Sequence, residues 1–169
     1  EAWESAIHAR KFQRRLDKLS PEEAAGLPGG ESELPAEFLD RLQAELSSKY
    51  TEMLQHIRAS WVFQKDEAMG WKIMDQAMEK MKQLAHFAEP IGEDGVAPKF
   101  EPGQIDKSHA IGVALSKALE DAQVARERHL KLREDSEVKK HSGLIINLDL
   151  TTQQEEYQGA EIADWRKKT

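Results

Sequence analysis

The sequence has 169 residues, 39% hydrophobic and 33% charged, with a formal net charge of −7 and no cysteine. That length suits one domain, 1–169. The lack of thiols excludes disulfides, thiolate metal sites and cysteine nucleophiles, and the negative balance weighs against a dedicated nucleic-acid binder, because phosphate binding is driven by positive surface.

No run approaches the roughly 18 apolar residues of a membrane span. The opening EAWESAIHARKF has neither the basic leader nor the apolar core of a signal peptide. A soluble, intracellular protein of cytoplasm or nucleus is expected, and a start at Glu1 with an end in RKKT reads as a segment of a longer chain.

In chain order, Trp3, Ile7, Phe12, Leu16 and Leu19 recur at helical steps and predict a helix over 1–19. Ser20-Pro21-Glu22-Glu23 predicts a short helical turn, and Leu27-Pro28-Gly29-Gly30 breaks it, so 20–35 is a loop. The longest element follows. Residues 36–88 contain no proline and one glycine, and Phe38, Leu42, Leu46, Tyr50, Met53, Ile57 and Trp61 form a stripe at steps of three and four. Arg41, Glu45, Lys49, Glu52 and Arg58 are assigned to the other faces. The pattern predicts one continuous rod of roughly 80 Å at 1.5 Å per residue, with a break near 60–65 as the alternative.

Residues 89–104 hold four prolines or glycines in their first ten positions and are read as a loop from which helix is excluded. A helix is predicted over 105–140, with Ile111, Leu115, Ala118, Ala122, Ala125, His129 and Leu132 on one face. Then the period changes. Leu144, Ile146, Leu148 and Leu150 alternate with polar neighbours, the pattern of a half-buried strand, so 143–151 is predicted to be an extended arm. Thr152 and Glu155 form a capping box for a last helix over 152–168 carrying Tyr157, Ile162 and Trp165. The fold class expected is mainly α: an elongated antiparallel bundle of three to four helices with one short extended segment near the C-terminus.

Chemistry is harder to find. Zinc or di-iron bundle sites commonly use a Glu-x-x-His pair on each of two helices, and that motif is absent. Glu52 with His56 and Glu137 with His141 are four apart and read as surface hydrogen-bonding pairs, while His129 reads as a hydrogen-bonded core or rim residue. No nucleophile elbow, P-loop or dinucleotide fingerprint occurs. No catalytic residue, metal ligand or cofactor is assigned, and no enzyme is expected.

Excess rod over pocket instead predicts a non-enzymatic interaction subunit or adaptor that binds another protein or a second copy of itself. Its partner-binding residues are assigned to Trp61, Phe63, Trp71, Met74 and Met78 on the rod and to Leu144, Ile146, Leu148, Leu150 and Trp165 on the C-terminal arm. One alternative is nucleic-acid association through the basic 126–140 helix, using Arg126, Arg128, Lys131, Arg133, Lys139 and Lys140. A second alternative is a helical-bundle enzyme or metal protein.

Overall fold

The computed structural model describes residues 34–63 and 67–167. The expectations for 1–19 and for nearly all of 20–35 lie outside them. Four long helices account for most of the described chain: α1 (Ala36–Val62), α2 (Glu67–Glu93), α3 (Ile111–Arg133) and α4 (Ser142–Arg166). A short 3-10 turn, Val138–Lys140, precedes α4. Among the described residues there is no strand, and no helix is long and apolar enough to cross a membrane.

Each helix buries one seam in which residues recur at alternating steps of three and four. On α1 the seam is Phe38, Leu42, Glu45, Lys49, Glu52, His56, Ala59 and Phe63; on α4 it is Leu144, Leu148, Thr151, Glu155, Gln158, Ile162 and Trp165. A seven-residue spacing of this kind keeps one face of a helix against its neighbours along the whole length of a bundle. α2 and α3 follow the same rule with Ile73, Ala77, Lys80, Leu84, Phe87 and Ile91, and with Leu115, Ala118, Ala122, Ala125, His129 and Leu132.

The single rod over 36–88 does not form. α1 ends at Val62 and α2 folds back along it, so the break near 60–65 is the correct alternative. Leu34 at the head of α1 donates its N–H to Asp94 Oδ1 beyond the end of α2, at 3.1 Å, as an antiparallel hairpin requires. Gly70 allows the close approach at the other end, where a Cβ would lie 3.1 Å from the Ser60 carbonyl oxygen. The physical reason for the fold-back is that Ala59 and Phe63 on α1 and Ile73 on α2 complete one apolar cluster, which a straight rod would leave open to water.

Two further boundaries move. α2 runs through Pro90 to Glu93 because Ile91, almost wholly buried, continues the seam one step past Phe87. It ends at Gly95, whose φ of 77° lets its N–H reach the Gly92 carbonyl while Val96 reaches Ile91. The predicted 105–140 helix starts only at Ile111 and stops at Arg133.

The expected arm over 143–151 is a correction of kind. Leu144 and Leu148 are buried while Ile146 and Leu150 are exposed, and the buried pair joins Thr151 and Glu155 at helical spacing inside α4. Alternation over eight residues was a by-product of an apolar run in which both helical and strand periods fit.

The crossover between α2 and α3 travels the length of α1 in extended form. Its backbone groups are satisfied by α1 side chains: Lys99 N–H donates to Gln43 Oε1 at 3.0 Å, Gly103 N–H to Thr51 Oγ1 at 2.7 Å, and Asp106 N–H to Gln55 Oε1 at 2.8 Å. Arg58 Nε donates to the Asp106 carbonyl at 2.7 Å, and Phe100 meets the Tyr50 ring edge-on. The crossover therefore delivers α3 to the end of the bundle where α1 finishes, and α3 runs antiparallel to α1. α4 returns antiparallel to α3, with Arg126 on Glu156, and antiparallel to α2, with Gln76 on Glu161 and His86 on Thr151. Around the bundle the order is α1, α2, α4, α3, leaving α1 diagonal to α4.

Candidate functional site

Midway along the bundle the seams carry charge. Lys49 Nζ of α1 donates to Glu52 Oε2 at 2.8 Å and to Glu155 Oε1 of α4 at 2.6 Å. Lys80 Nζ of α2 donates to the same carboxylates, to Glu52 Oε2 at 3.2 Å and to Glu155 Oε1 and Oε2 at 2.8 and 2.9 Å. Both lysines are fully buried. Each carboxylate thus bridges two ammonium groups, and the Lys49–Glu155 contact crosses the bundle's diagonal from α1 to α4. α3 carries the buried Ala122 and Ala125 at this level, whose small side chains leave volume for two long lysines, while Ala118 packs with Ile162 and Trp165 in the apolar cluster beyond.

A second shell of charge closes the belt on one side. Arg128 of α3 forks onto both Glu45 oxygens through Nε, at 3.1 and 3.2 Å, and reaches Glu52 Oε1 through Nη2 at 3.0 Å. Three cations, Lys49, Lys80 and Arg128, then face three carboxylates, Glu45, Glu52 and Glu155. The interior is neutral, as a buried charge cluster must be to persist.

Burial pushes the Glu52 carboxyl up, but Lys49 and Lys80 outweigh it and hold the group well below the usual carboxylate range. Glu155 follows the same balance with the same lysines, and Glu45 is lowered by His129 and Arg128 against its own burial. Burial alone would lower Lys49; Glu52 and Glu155 instead hold it above the ordinary lysine value. These groups stay ionised at neutral pH.

The histidines of the belt are neutral. Burial, then the positive Lys80, pushes His56 down to about 4. Its Nδ1 lies 2.8 Å from the Glu52 carbonyl oxygen, which only accepts, so Nδ1 carries the proton and Nε2 is left a bare, buried acceptor without a partner. His129, also lowered by burial, stacks on Phe87 with ring centres 5.6 Å apart and faces Glu45 at 3.5 Å. Gln76, Gln83 and Gln158 each keep a buried amide oxygen without a partner beside the belt.

Sequence reasoning missed this site because charged residues were placed on outer faces. Glu45, Lys49 and Glu52 belong to the seam itself, and Glu52 with His56 is a core pair, not a surface one. The available signal was the seven-residue spacing, which continues from Phe38 and Leu42 through Glu45, Lys49, Glu52 and His56 to Ala59.

The residues assigned to partner binding scatter. Phe63, Leu144, Leu148 and Trp165 are core, whereas Trp61, Trp71, Met78, Ile146 and Leu150 are exposed and Met74 is half-buried. The basic residues assigned to nucleic acid are mostly spent inside the chain: Arg126 pairs with Glu156, Arg133 with Asp149, Lys139 with Glu134 and Lys140 with Glu137, while Arg128 turns into the core. Lys131 alone of the six is exposed with no acidic partner drawn to it among those bridges.

No protein-family model matches the sequence, and no curated protein sequence does. Solved structures do match. A ferritin-like, diiron-carboxylate protein from Bacillus anthracis str. Ames superposes with a TM-score of 0.69 at 14% identity, covering 77% of this chain and 95% of that one. The bacterioferritin of Desulfovibrio desulfuricans gives 0.72 at 12% identity, covering 78% and 79%. Chlorobium tepidum ferritin gives 0.67 at 12%, covering 80% and 85%. These neighbours, together with the burial of four of the ten supposed docking residues, overturn the adaptor and scaffold expectation and the nucleic-acid alternative with it.

Ferritin-like di-iron bundles hold metal with a Glu from each of two helices and a Glu-x-x-His pair from each of the other two. The residues here do not fit that group. The buried polar pairs three apart on α2 and α4 are Lys80 with Gln83 and Glu155 with Gln158, and the one buried polar residue of α3 is His129, beyond the alanines. Among the described residues no three His, Asp or Glu side chains are grouped to hold a metal ion. The chain has a ferritin-like fold whose central carboxylates are bridged by the protein's own lysines.

Proposed function

We propose that the chain is a wall-forming subunit of a ferritin-type iron-storage assembly built from copies of itself, with no iron oxidation in its own bundle core. The fold supports the first half of this reading, since the neighbours are ferritins, a bacterioferritin and a diiron-carboxylate protein. The second half rests on one observation: Lys49 and Lys80 both lie within hydrogen-bonding distance of Glu52 and Glu155. A fixed ammonium pair opposes a divalent cation by charge and by volume. Self-assembly is supported by exposed Trp61 and Trp71, Met78, Ile146 and Leu150 on outer faces, and by a groove of about 570 Å³ between α2 and α4 whose rim includes Leu150 and Tyr157.

The test couples mass and iron. Light scattering of the purified protein is expected to give a large closed assembly that retains iron after aerobic loading with Fe(II), with oxidation no faster than in protein-free buffer. A monomer that retains no iron would remove the storage reading. Rapid oxidation abolished by Glu155→Gln would remove the claim that the core is inactive.

A further inference from the structure

We infer that Lys49 and Lys80 are surrogate cations: their two ammonium groups fill and neutralise what is otherwise a site for one divalent transition-metal ion between Glu52 and Glu155. This rests on the reading of an inactive core and deepens it by stating what the lysines replace.

The geometry is that of a bridged cation pair. Glu52 Oε2 touches both Nζ atoms, at 2.8 and 3.2 Å, and Glu155 Oε1 touches both, at 2.6 and 2.8 Å. One carboxylate oxygen shared between two cations is what metal-bridging carboxylates do, whereas the exposed Glu134 meets Arg133 and Lys139 through separate oxygens, and Lys82 on Glu79 or Lys167 on Asp164 is one to one. The charge arithmetic is closed as well. Two ammonium groups balance two carboxylates, so removal of both leaves two negative charges that one divalent cation restores to neutrality.

The surroundings supply an independent sign. His56, fully buried and one turn from Glu52 on α1, presents an unprotonated Nε2 with no partner. Gln158, one turn beyond Glu155, keeps a buried amide oxygen unpaired. Buried acceptors of this kind ordinarily find a donor or a cation. The two carboxylates are oxygen donors of the kind that Fe(II), Co(II), Zn(II) or Mn(II) accepts, and the His56 imidazole stands one turn along α1 from Glu52. The lysines keep those carboxylates closed.

The experiment uses Co(II), whose visible absorption reports its ligands. Lys49→Ala with Lys80→Ala in the full chain is refolded with and without Co(II), desalted, and assayed for bound metal and for Tm, beside the unaltered protein. The expected result is roughly one Co(II) per chain in the double variant, with a Tm rise of about 5–10 °C at a hundredfold excess over Kd. The unaltered protein is expected to show neither. Recovery of fold only in the presence of Co(II) also supports the inference, because a cation is then completing the core.

A folded double variant that takes no Co(II), or one that Co(II) cannot rescue, overturns it. So does uptake by the unaltered protein at the same carboxylates, or uptake that survives an added Glu155→Gln. Lys49→Met with Lys80→Met, which fills the volume with apolar atoms, is expected to fold without binding metal. Assembly and iron retention of the unaltered protein are read separately, so failure of the storage reading and failure of this one produce different results.

Discussion

The two ends of the bundle and its waist follow one spacing rule and solve opposite problems. Toward one end Phe38, Leu42, Leu46, Phe87, Ile91 and Leu148 pack together, and toward the other Phe63, Ile73, Leu115, Ile162 and Trp165 do. Those layers stabilise by removing apolar area from water, about 25 cal/mol per Å². Between them Lys49, Lys80, Glu52 and Glu155 occupy the same seams and contribute little net stability, because desolvating four charges nearly offsets their attraction. What the waist contributes is specificity. It leaves one register in which every charge meets its opposite.

That contrast can be broken most severely at a single charge. Lys80→Met keeps the length of the side chain and leaves Glu155 with one ammonium partner fewer, and is expected to cost about 3–5 kcal/mol in urea unfolding. Replacing all four charges together, as Lys49→Met, Glu52→Leu, Lys80→Met and Glu155→Leu, is expected to be neutral or to stabilise by about 1–4 kcal/mol. If the single change costs less than the complete one, the waist is no more than a set of independent surface-like pairs.

Acid separates waist from ends without mutation. His56 has its ordinary value of 6.5 in the unfolded chain and about 4 in the fold, so the unfolded state gains its proton first as pH falls. Stability is whole above 6.5 and is lost progressively toward 4, by on the order of 3 kcal/mol for this group. His129 is shifted in the same direction, and below the ordinary carboxylate value of 4.5 the lowered Glu52, Glu155 and Glu45 add to the loss. Lys49, held above 10.5, works the other way: its contribution is present below 10.5 and lost as pH rises through the folded value. Denaturant midpoints across pH 4–7 are the measurement, and a His56→Gln variant with an unchanged slope between 6.5 and 4.5 would reassign the effect.

The smallest expected effect tests the alanines. Ala125 is fully buried at the level of the belt, and Ala125→Leu is expected to overpack it and cost about 1–3 kcal/mol. An equal enlargement that is tolerated would mean that α3 stands further from the lysines than their packing implies.

Much of the architecture was legible in the chain. The apolar recurrences around Phe38 to Trp61 and Ile111 to Leu132 marked two of the helices, and the glycines and prolines from Pro90 to Gly103 marked the region of the crossover. The fold-back between α1 and α2 was legible only as an alternative, because Trp61, Val62 and Phe63 point three ways and nothing local says which of them meets Ile73. α4 was misread over its first turns because Leu144 to Leu150 satisfies both periods, and only packing against the other helices selects between them.

The site was legible in part, and its meaning was not. Glu45, Lys49, Glu52 and His56 are ordinary helix-surface residues in composition, and their spacing was the one clue that they face inward. By itself the sequence determined that the chain is mainly helical and where most of the helices lie, since these depend on spacing within a few turns. Only the tertiary structure decided that Lys49 and Lys80, 31 positions apart, share Glu155, which lies a further 75 beyond Lys80. A charge goes inside only when its opposite arrives from another helix, and that is fixed by the fold-back and the crossover rather than by any segment alone.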